Sequence, residues 1–451
     1  MTAPRRGVTA LALALALLTA ACATAPPPRP PAPPPVASPG AEPALPPGAQ
    51  PAPAEAAGPL RPGAEPMIDV GLAWDLDSLV LVLEPGTPVS VGTSTLGRAS
   101  GAFSVVRDPT RPGVLRFDAA DPGSTLASGD TLWIGDPTGG TRTRWRERTW
   151  RGGLKVFAGP RGRITLVDRL PLETYLLGVV PGEIGGLTRD LVEAGRAQAI
   201  AARSYTLFYR GRRASEGFDL YGTVEDQVYG PVESERPLAS DCVEQTRGRV
   251  ALHDGQPIRA NYCSTCGGVS AEVWEAWPAA PLPYLESRRD ADGAGDFCAA
   301  SPQYRWRERW SPEELLGNIE RFGPALGLRV PDGGLGDLVD VRADARSRSG
   351  RVWRLLVRTT GGDVAIPAYA IRGVLRRGGS PGSILRSNLF KIDVRRDPST
   401  GRALEVVASG AGSGHGVGLC QTGALGMARA GAKAAQILEH YYPHSTIERL
   451  Y

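Results

Sequence analysis

Between Leu170 and Arg213 the chain reads LPLETYLLGVVPGEIGGLTRDLVEAGRAQAIAARSYTLFYRGRR, and this stretch limits the fold more than any other. Leu172–Val180 has a helical pattern that is predicted to stop at Pro181, because proline lacks a backbone N–H and disfavours a helical residue before it. A second helix is expected after Gly185 and Gly186, with Thr188 as N-cap and Asp190 suited to the positive helix end. Leu191, Ala194, Ala197, Ala201, Tyr205 and Phe208 recur at helical spacing, and Gly211 supplies the stop. Ala194, Ala197, Ala199, Ala201 and Ala202 keep this helix slim enough to lie close against neighbours. Glu183 is thereby set on a Gly-rich bend between two helices, where an acid is either a solvated surface group or a functional one.

The 451 residues exceed one ordinary domain, and a hydrophobic content of 42% suffices for a sizeable core. With 51 basic and 47 acidic residues the net charge is +4, and the arginines form no basic stripe, which argues against nucleic acid as a partner. Residues 1–22 read as an export signal: Arg5 and Arg6 precede an apolar run, Val8–Leu18, too short to span a bilayer. Thr19-Ala20-Ala21-Cys22 favours a bacterial lipoprotein signal, with Cys22 acylated, over ordinary cleavage at Ala21-Cys22-Ala23. Both readings place the mature protein outside the cytoplasm, in the cell envelope, and the first anchors it to a membrane. Residues 23–66 are dominated by Pro and Ala and are expected to form a disordered, extended stalk. At roughly 3.1 Å per residue such a stalk reaches on the order of 100 Å.

Residues 67–167 change to short apolar runs between Gly, Pro and Asp, predicting a β-rich part with strands at Leu79–Leu83, Pro88–Val91, Val114–Phe117, Thr131–Ile134 and Leu154–Phe157. Turns are expected at Pro85-Gly86, Asp121-Pro122-Gly123 and Gly139-Gly140. Residues 168–451 add a hairpin around Asp254-Gly255, a helix at Glu313–Phe322 capped by Ser311, strands near Leu338–Val341, Val352–Thr359, Val364–Pro367 and Phe390–Val394, and helices at Tyr369–Arg376, Gln421–Ala430 and Ala434–Tyr442. The fold class is α+β, a β-rich N-terminal part joined to a mixed sheet with helical segments.

Three further clusters bear on chemistry. In Gly414-His415-Gly416-Val417-Gly418-Leu419-Cys420-Gln421 alternating glycines allow close approach to a histidine, and the helix after Cys420 directs free N–H groups to the same place. With Cys22 assigned to lipid, Cys242, Cys263, Cys266, Cys298 and Cys420 remain. Cys263, Cys266, Cys298 and Cys420 suit a structural zinc site; Cys266–Cys298 and Cys263–Cys420 disulfides are the rival reading, and Cys242 is left single in both. The aromatics at Trp274–Trp277 and Tyr304–Trp310 read as core and edge residues more than as a sugar-stacking surface.

These segments together resemble the SpoIID/LytB family, which joins sporulation stage II protein D with amidase enhancers. The resemblance covers about Met67–Tyr451 and rests on LPLETYLLGVVPGEI, EAGRAQAIAARSYTL, DQVYG, YCSTCGG, GHGVGLCQTGALGMARAGA and ILEHYYPHSTIERLY. It implies a SpoIID-like fold, a peptidoglycan lytic transglycosylase acting on peptide-free glycan strands, and Glu183 as the single catalytic acid. Such an enzyme needs one carboxyl group to protonate the glycosidic oxygen and then assist attack by the muramic 6-hydroxyl, and no cofactor. Motif position marks Arg203, Tyr205, Gln227, Tyr229, His415 and Gln421 as candidates to line the glycan groove. The rival expectation is a non-catalytic glycan-binding protein that localises or stimulates a cell-wall amidase. One departure matters: sporulation members bind zinc through a His-Cys pair before the Gln-Val-Tyr segment, whereas Glu225-Asp226 stand here, so that site is not carried over.

Overall fold

A computed structural model describes residues 63–92, 94–119, 125–138 and 140–451. The export signal, Cys22, nearly all of the stalk and the expected turn at Asp121-Pro122-Gly123 lie outside the described residues. Ten strands come first: β1 (Met67–Leu76), β2 (Ser78–Val91), β3 (Ser94–Arg107), β4 (Leu115–Ala119), β5 (Thr125–Gly129), β6 (Thr131–Ile134), β7 (Arg142–Trp145), β8 (Arg148–Arg151), β9 (Gly153–Ala158) and β10 (Ile164–Pro171). They alternate buried and exposed residues along most of their length, which is the pattern of a sheet with one face on a core. The two strands expected around Pro85-Gly86 are one, β2, and the pair shifts its register against β3 between Leu83 and Thr87. Proline and glycine there produce a bulge instead of a chain reversal, because pairing resumes on the same partner strand.

Helix α1 (Leu172–Glu183) follows β10 directly. It continues through Pro181 to Glu183, two residues past the expected stop, since proline in the last turn forfeits only one intrahelical bond. A short 3₁₀ turn at Arg189–Leu191 leads into α2 (Val192–Tyr209), which is buried nearly all round, Arg196 and Phe208 being among the few residues partly open. The chain then adds β11 (Leu220–Tyr221), parallel to β1, which completes a mixed sheet of eleven strands, and α3 (Pro237–Gln245). Strands β12 (Arg249–His253) and β13 (Gln256–Pro257) form the expected hairpin, with Asp254 and Gly255 both at positive φ, as a two-residue Asp-Gly turn requires. Next come β14 (Tyr262–Cys263), β15 (Ala291–Asp292) and β16 (Gly295–Asp296).

Residues from β17 (Arg305–Trp310) to β22 (Ala403–Ala411) build a second region, with α4 (Pro312–Phe322), β18 (Leu338–Arg346), β19 (Val352–Thr359), β20 (Gly362–Pro367), α5 (Ala368–Leu375) and β21 (Phe390–Arg396) between them. Ser311 Oγ accepts from the Glu314 N–H at 3.1 Å, as the sequence predicts for that helix start. Trp310, Leu315, Ile319, Val352, Leu355 and Ile371 centre a hydrophobic core separate from the main one. The chain returns through β23 (Leu419–Cys420), paired in parallel with β14, then α6 (Gln421–Arg429), α7 (Ala434–Tyr441) and β24 (Thr446–Arg449). The main core unites β1–β10 with α1, α2, α6 and α7, from Ile68 to Tyr442. The architecture is α+β and β-rich, and among the described residues no helix is long and apolar enough to cross a membrane.

Candidate functional site

Glu183 ends α1 half-buried, and its position depends on two glycines one turn apart on that helix. A Cβ on Gly178 would come within 2.5 Å of the Gly230 carbonyl oxygen and 2.6 Å of the Tyr229 ring, and one on Gly182 within 3.3 Å of Val228. Without these side chains the Val228–Gly230 segment lies along α1, and the Gly230 N–H donates to the Gly178 carbonyl at 3.1 Å. The Val228 N–H consequently reaches Glu183 Oε1 at 2.9 Å. From the far end of the sequence Gln421, the first residue of α6, donates through Nε2 to Glu183 Oε2 at 3.1 Å. The Tyr262 hydroxyl also hydrogen-bonds the carboxylate, and it accepts from Gln227 Nε2 at 2.9 Å.

Burial raises the pKa of Glu183, and the bonds from Val228, Gln421 and Tyr262 restrain that rise by favouring the carboxylate. Behind Tyr262, Gln227 is fully buried and accepts from Thr206 Oγ1 at 2.7 Å and Tyr175 Oη at 3.3 Å. The result is an acid whose protonated form is favoured by burial and whose charged form is met by placed donors. Beside it Pro181, Ile184, Gly185–Leu187 and Arg236–Ala239 line a largely apolar cleft of about 480 Å³.

The remaining groove candidates are placed differently. Arg203 is fully buried, and its guanidinium forms a paired contact with Glu173, Nε to Oε1 at 2.8 Å and Nη2 to Oε2 at 2.6 Å. Burial alone would push Glu173 up, but Arg203, Tyr451 and the Gly248 N–H hold it below the usual glutamate range. Tyr229 is buried between Trp150 and Tyr175 and donates to Asp168 at 2.8 Å. Tyr205 packs on Tyr209 and Tyr262 and is 6% exposed. Arg203, Tyr205 and Tyr229 are thus held in the interior, because the helix that carries the first two is surrounded by other elements and is not at the edge of a groove.

His415 rests on Trp277 with ring centroids 4.7 Å apart, and its Nδ1 accepts from the Val417 N–H at 3.0 Å. Burial, then the nearby Arg372, pushes it down to about 3, so it is a neutral imidazole. Gly414, Gly416 and Gly418 around it all have positive φ, and a Cβ on Gly416 would meet the Arg351 guanidinium at 2.1 Å. Close approach here serves the packing of the second region.

The five described cysteines are free thiols, and neither expected disulfide is formed. Cys266, Cys298 and Cys420 gather with Asp290, whereas Cys263 stands apart. The reason is local: Cys263 lies within β14 and packs against Gly414, while Cys266 sits on the loop beyond the strand. Asp290 carried no sequence signal. Tyr262 was missed as a site residue although it stands inside YCSTCGG. Asp226 is held by Arg212 at 3.0 Å and Arg213 at 3.2 Å, which neutralise its carboxylate.

A helix-end acid met by a backbone N–H, an amide and a phenol defines the site. Residues 160–253 match the family model described as Stage II sporulation protein, SpoIID, so the chain carries a SpoIID-family domain, with Glu183 and Val228 inside it. Residues 295–418, which hold the second core, match a domain of unknown function, DUF8618. The chain is 27% identical to an uncharacterized protein of Brachyspira hyodysenteriae, over 64% of this chain and 70% of that protein. It is 26% identical to Stage II sporulation protein D of Bacillus subtilis, over 62% of this chain and 75% of that protein. A third relative, Amidase enhancer of Bacillus subtilis, is 26% identical over 60% of this chain, which spans only 40% of that protein.

Proposed function

We propose that this protein is a cell-envelope peptidoglycan lytic transglycosylase that cleaves peptide-free glycan strands, with Glu183 as its single general acid and base. The observation that carries the reading is the carboxyl group of Glu183, its pKa raised by burial and both oxygens met by donors from distant segments. Protonated, Glu183 gives its proton to the glycosidic oxygen as the C–O bond breaks. Ionised, it accepts the proton of the muramic 6-hydroxyl as that oxygen bonds to the anomeric carbon, closing a 1,6-anhydro ring without consuming water. The substrate supplies the nucleophile, so a second carboxylate is not required. The donors from Val228, Gln421 and Tyr262 stabilise the ionised half of this cycle. The SpoIID match and the similarity to Stage II sporulation protein D support a cell-wall role, and acylation at Cys22 would anchor the protein to a membrane.

The similarity to Amidase enhancer favours a second reading, a module that binds glycan strands and localises or stimulates a cell-wall amidase. Incubation of the protein with peptide-free glycan strands separates the two. Anhydromuramic products that disappear in Glu183→Gln support the enzyme; binding without products supports the amidase partner.

A further inference from the structure

Cys266, Asp290, Cys298 and Cys420 come from separate segments of the chain, yet one ligand atom of each lies within 4.8 Å of the others and all four residues are buried. Cys266 Sγ stands 3.7 Å from Cys298 Sγ and 2.9 Å from Asp290 Oδ2. Sulfurs bound to zinc at about 2.3 Å on the corners of a tetrahedron are about 3.8 Å apart, which the Cys266–Cys298 spacing already matches, and the other pairs lie within 4.8 Å.

The surroundings serve the same geometry. Asp290 Oδ1 accepts from the Tyr441 hydroxyl at 2.6 Å and lies 3.4 Å from His440 Nε2, which leaves Oδ2 facing the sulfurs. The N–H groups of Cys266 and Gly423 point at Cys420 Sγ from 3.2 and 3.3 Å, and that of Gly268 at Cys266 Sγ from 3.4 Å. Arg351 holds the carbonyls of Cys266 and Val269, each at 3.1 Å, and Arg305 that of Gly267 at 3.0 Å, so two cations border the loop. Donors and cations so arranged stabilise negative sulfur and orient the ligands around a cation.

We propose that Cys266, Asp290, Cys298 and Cys420 form a tetrahedral structural site for zinc. Three thiolates select zinc over magnesium or calcium, and four protein ligands in a buried setting leave no open position for chemistry. The site binds zinc through three thiolates and one carboxylate, so every thiol proton still held passes to solvent, and no electrons are transferred. Cys420 precedes Gln421, and Cys266 follows Tyr262 by four residues, so the cation ties together both side chains that meet Glu183. The consequence for cleavage rests on the proposed role of Glu183; the metal site does not.

The full chain, purified under reducing conditions without chelator, is expected to hold about one zinc per molecule by elemental analysis. Cys298→Ser and Asp290→Ala lose most of it, whereas Cys263→Ser and Cys242→Ser keep it. Cobalt substituted into the unaltered chain gives the intense visible and sulfur-to-metal charge-transfer bands of a tetrahedral thiolate centre, a readout that survives if a variant fails to fold. A metal-free protein with a weak octahedral cobalt spectrum overturns the site, as does equal loss in Cys263→Ser. Peptide mapping that finds Cys266 and Cys298 joined in a disulfide overturns it too. Zinc-loaded protein that binds glycan without cleaving it removes the proposed activity and leaves the metal site standing.

Discussion

At the scale of single residues, Glu183 combines a raised pKa with fixed donors, and the two have opposite effects on its titration. Because its folded pKa lies above the unfolded one, its contribution to stability is fully present below the ordinary glutamate range and is lost as pH rises through the raised value. Glu183→Gln removes that loss. Gln can accept from Val228, and Gln421 can turn its amide to suit, so the variant is expected to unfold at an equal or higher temperature than the parent at neutral pH. Its rate of anhydromuramic product formation should fall by at least about 10²-fold; a variant that retains the parent's rate excludes Glu183 as the acid. Tyr262→Phe deletes a bond that lowers the Glu183 pKa, so the alkaline limb of the pH–rate profile should move upward, with a rate loss of about 10-fold or more. An unmoved limb would mean that the phenol does not act on the carboxylate.

Arg203 teaches the reverse lesson. Its place in the Ala-rich motif suggested a groove, yet it neutralises Glu173 inside the core. Arg203→Met leaves that carboxylate buried and unpaired and should cost about 3–5 kcal/mol by denaturant unfolding. Glu173 is held below its ordinary pKa in the parent, so the stability it contributes is present above the ordinary glutamate range and is lost as pH falls through the lowered value. In Arg203→Met this acid-side dependence should shrink or reverse.

At the scale of elements, the bearing of α1 on the Val228–Gly230 segment decides where the acid finds its first donor. Gly178→Val forces a side chain into the Gly230 carbonyl and the Tyr229 ring, and should destabilise the protein by about 1–3 kcal/mol as an overpacked contact. It should also weaken cleavage more than glycan binding, because Val228 is pushed from Glu183; a calorimetric and kinetic comparison with the parent checks both. The helical period of α2, the Ser311 cap and the Asp254-Gly255 hairpin were legible because each is a local preference written in a few adjacent residues. Strands β1, β3 and β22 leave no such local mark, since a strand is stabilised by partners distant in sequence, and β3 carries Gly97 and Gly101 where a regular alternation would be expected.

At the scale of the whole molecule, two cores meet around the cysteine loop. The second core reaches the first through the Ser347 hydroxyl on buried Glu275 at 2.6 Å, Tyr369 on the Trp274 carbonyl at 2.8 Å and Trp306 Nε1 on the Gly412 carbonyl at 2.8 Å. Trp310, 1% exposed, fills the second core only. Trp310→Ala is expected to cost about 3–5 kcal/mol there. Hydrogen exchange should show protection lost across β17–β22 first, with α2 still protected; simultaneous loss in both would show that the cores unfold as one unit.

The sequence by itself determined the helical pair around Glu183, the Ser311 cap and the Asp254-Gly255 turn, which depend on neighbours a few residues apart, and it holds the motifs of a SpoIID domain. Only the tertiary structure decided that Gln421 and Tyr262 meet Glu183, that Arg203 and Tyr229 are buried, and that Asp290 and not Cys263 joins Cys266, Cys298 and Cys420. Those outcomes depend on which segments pack together across separations of 24 to 238 residues. Periodicity and propensity carry no information at that distance, and the packing of α1, β14 and α6 does.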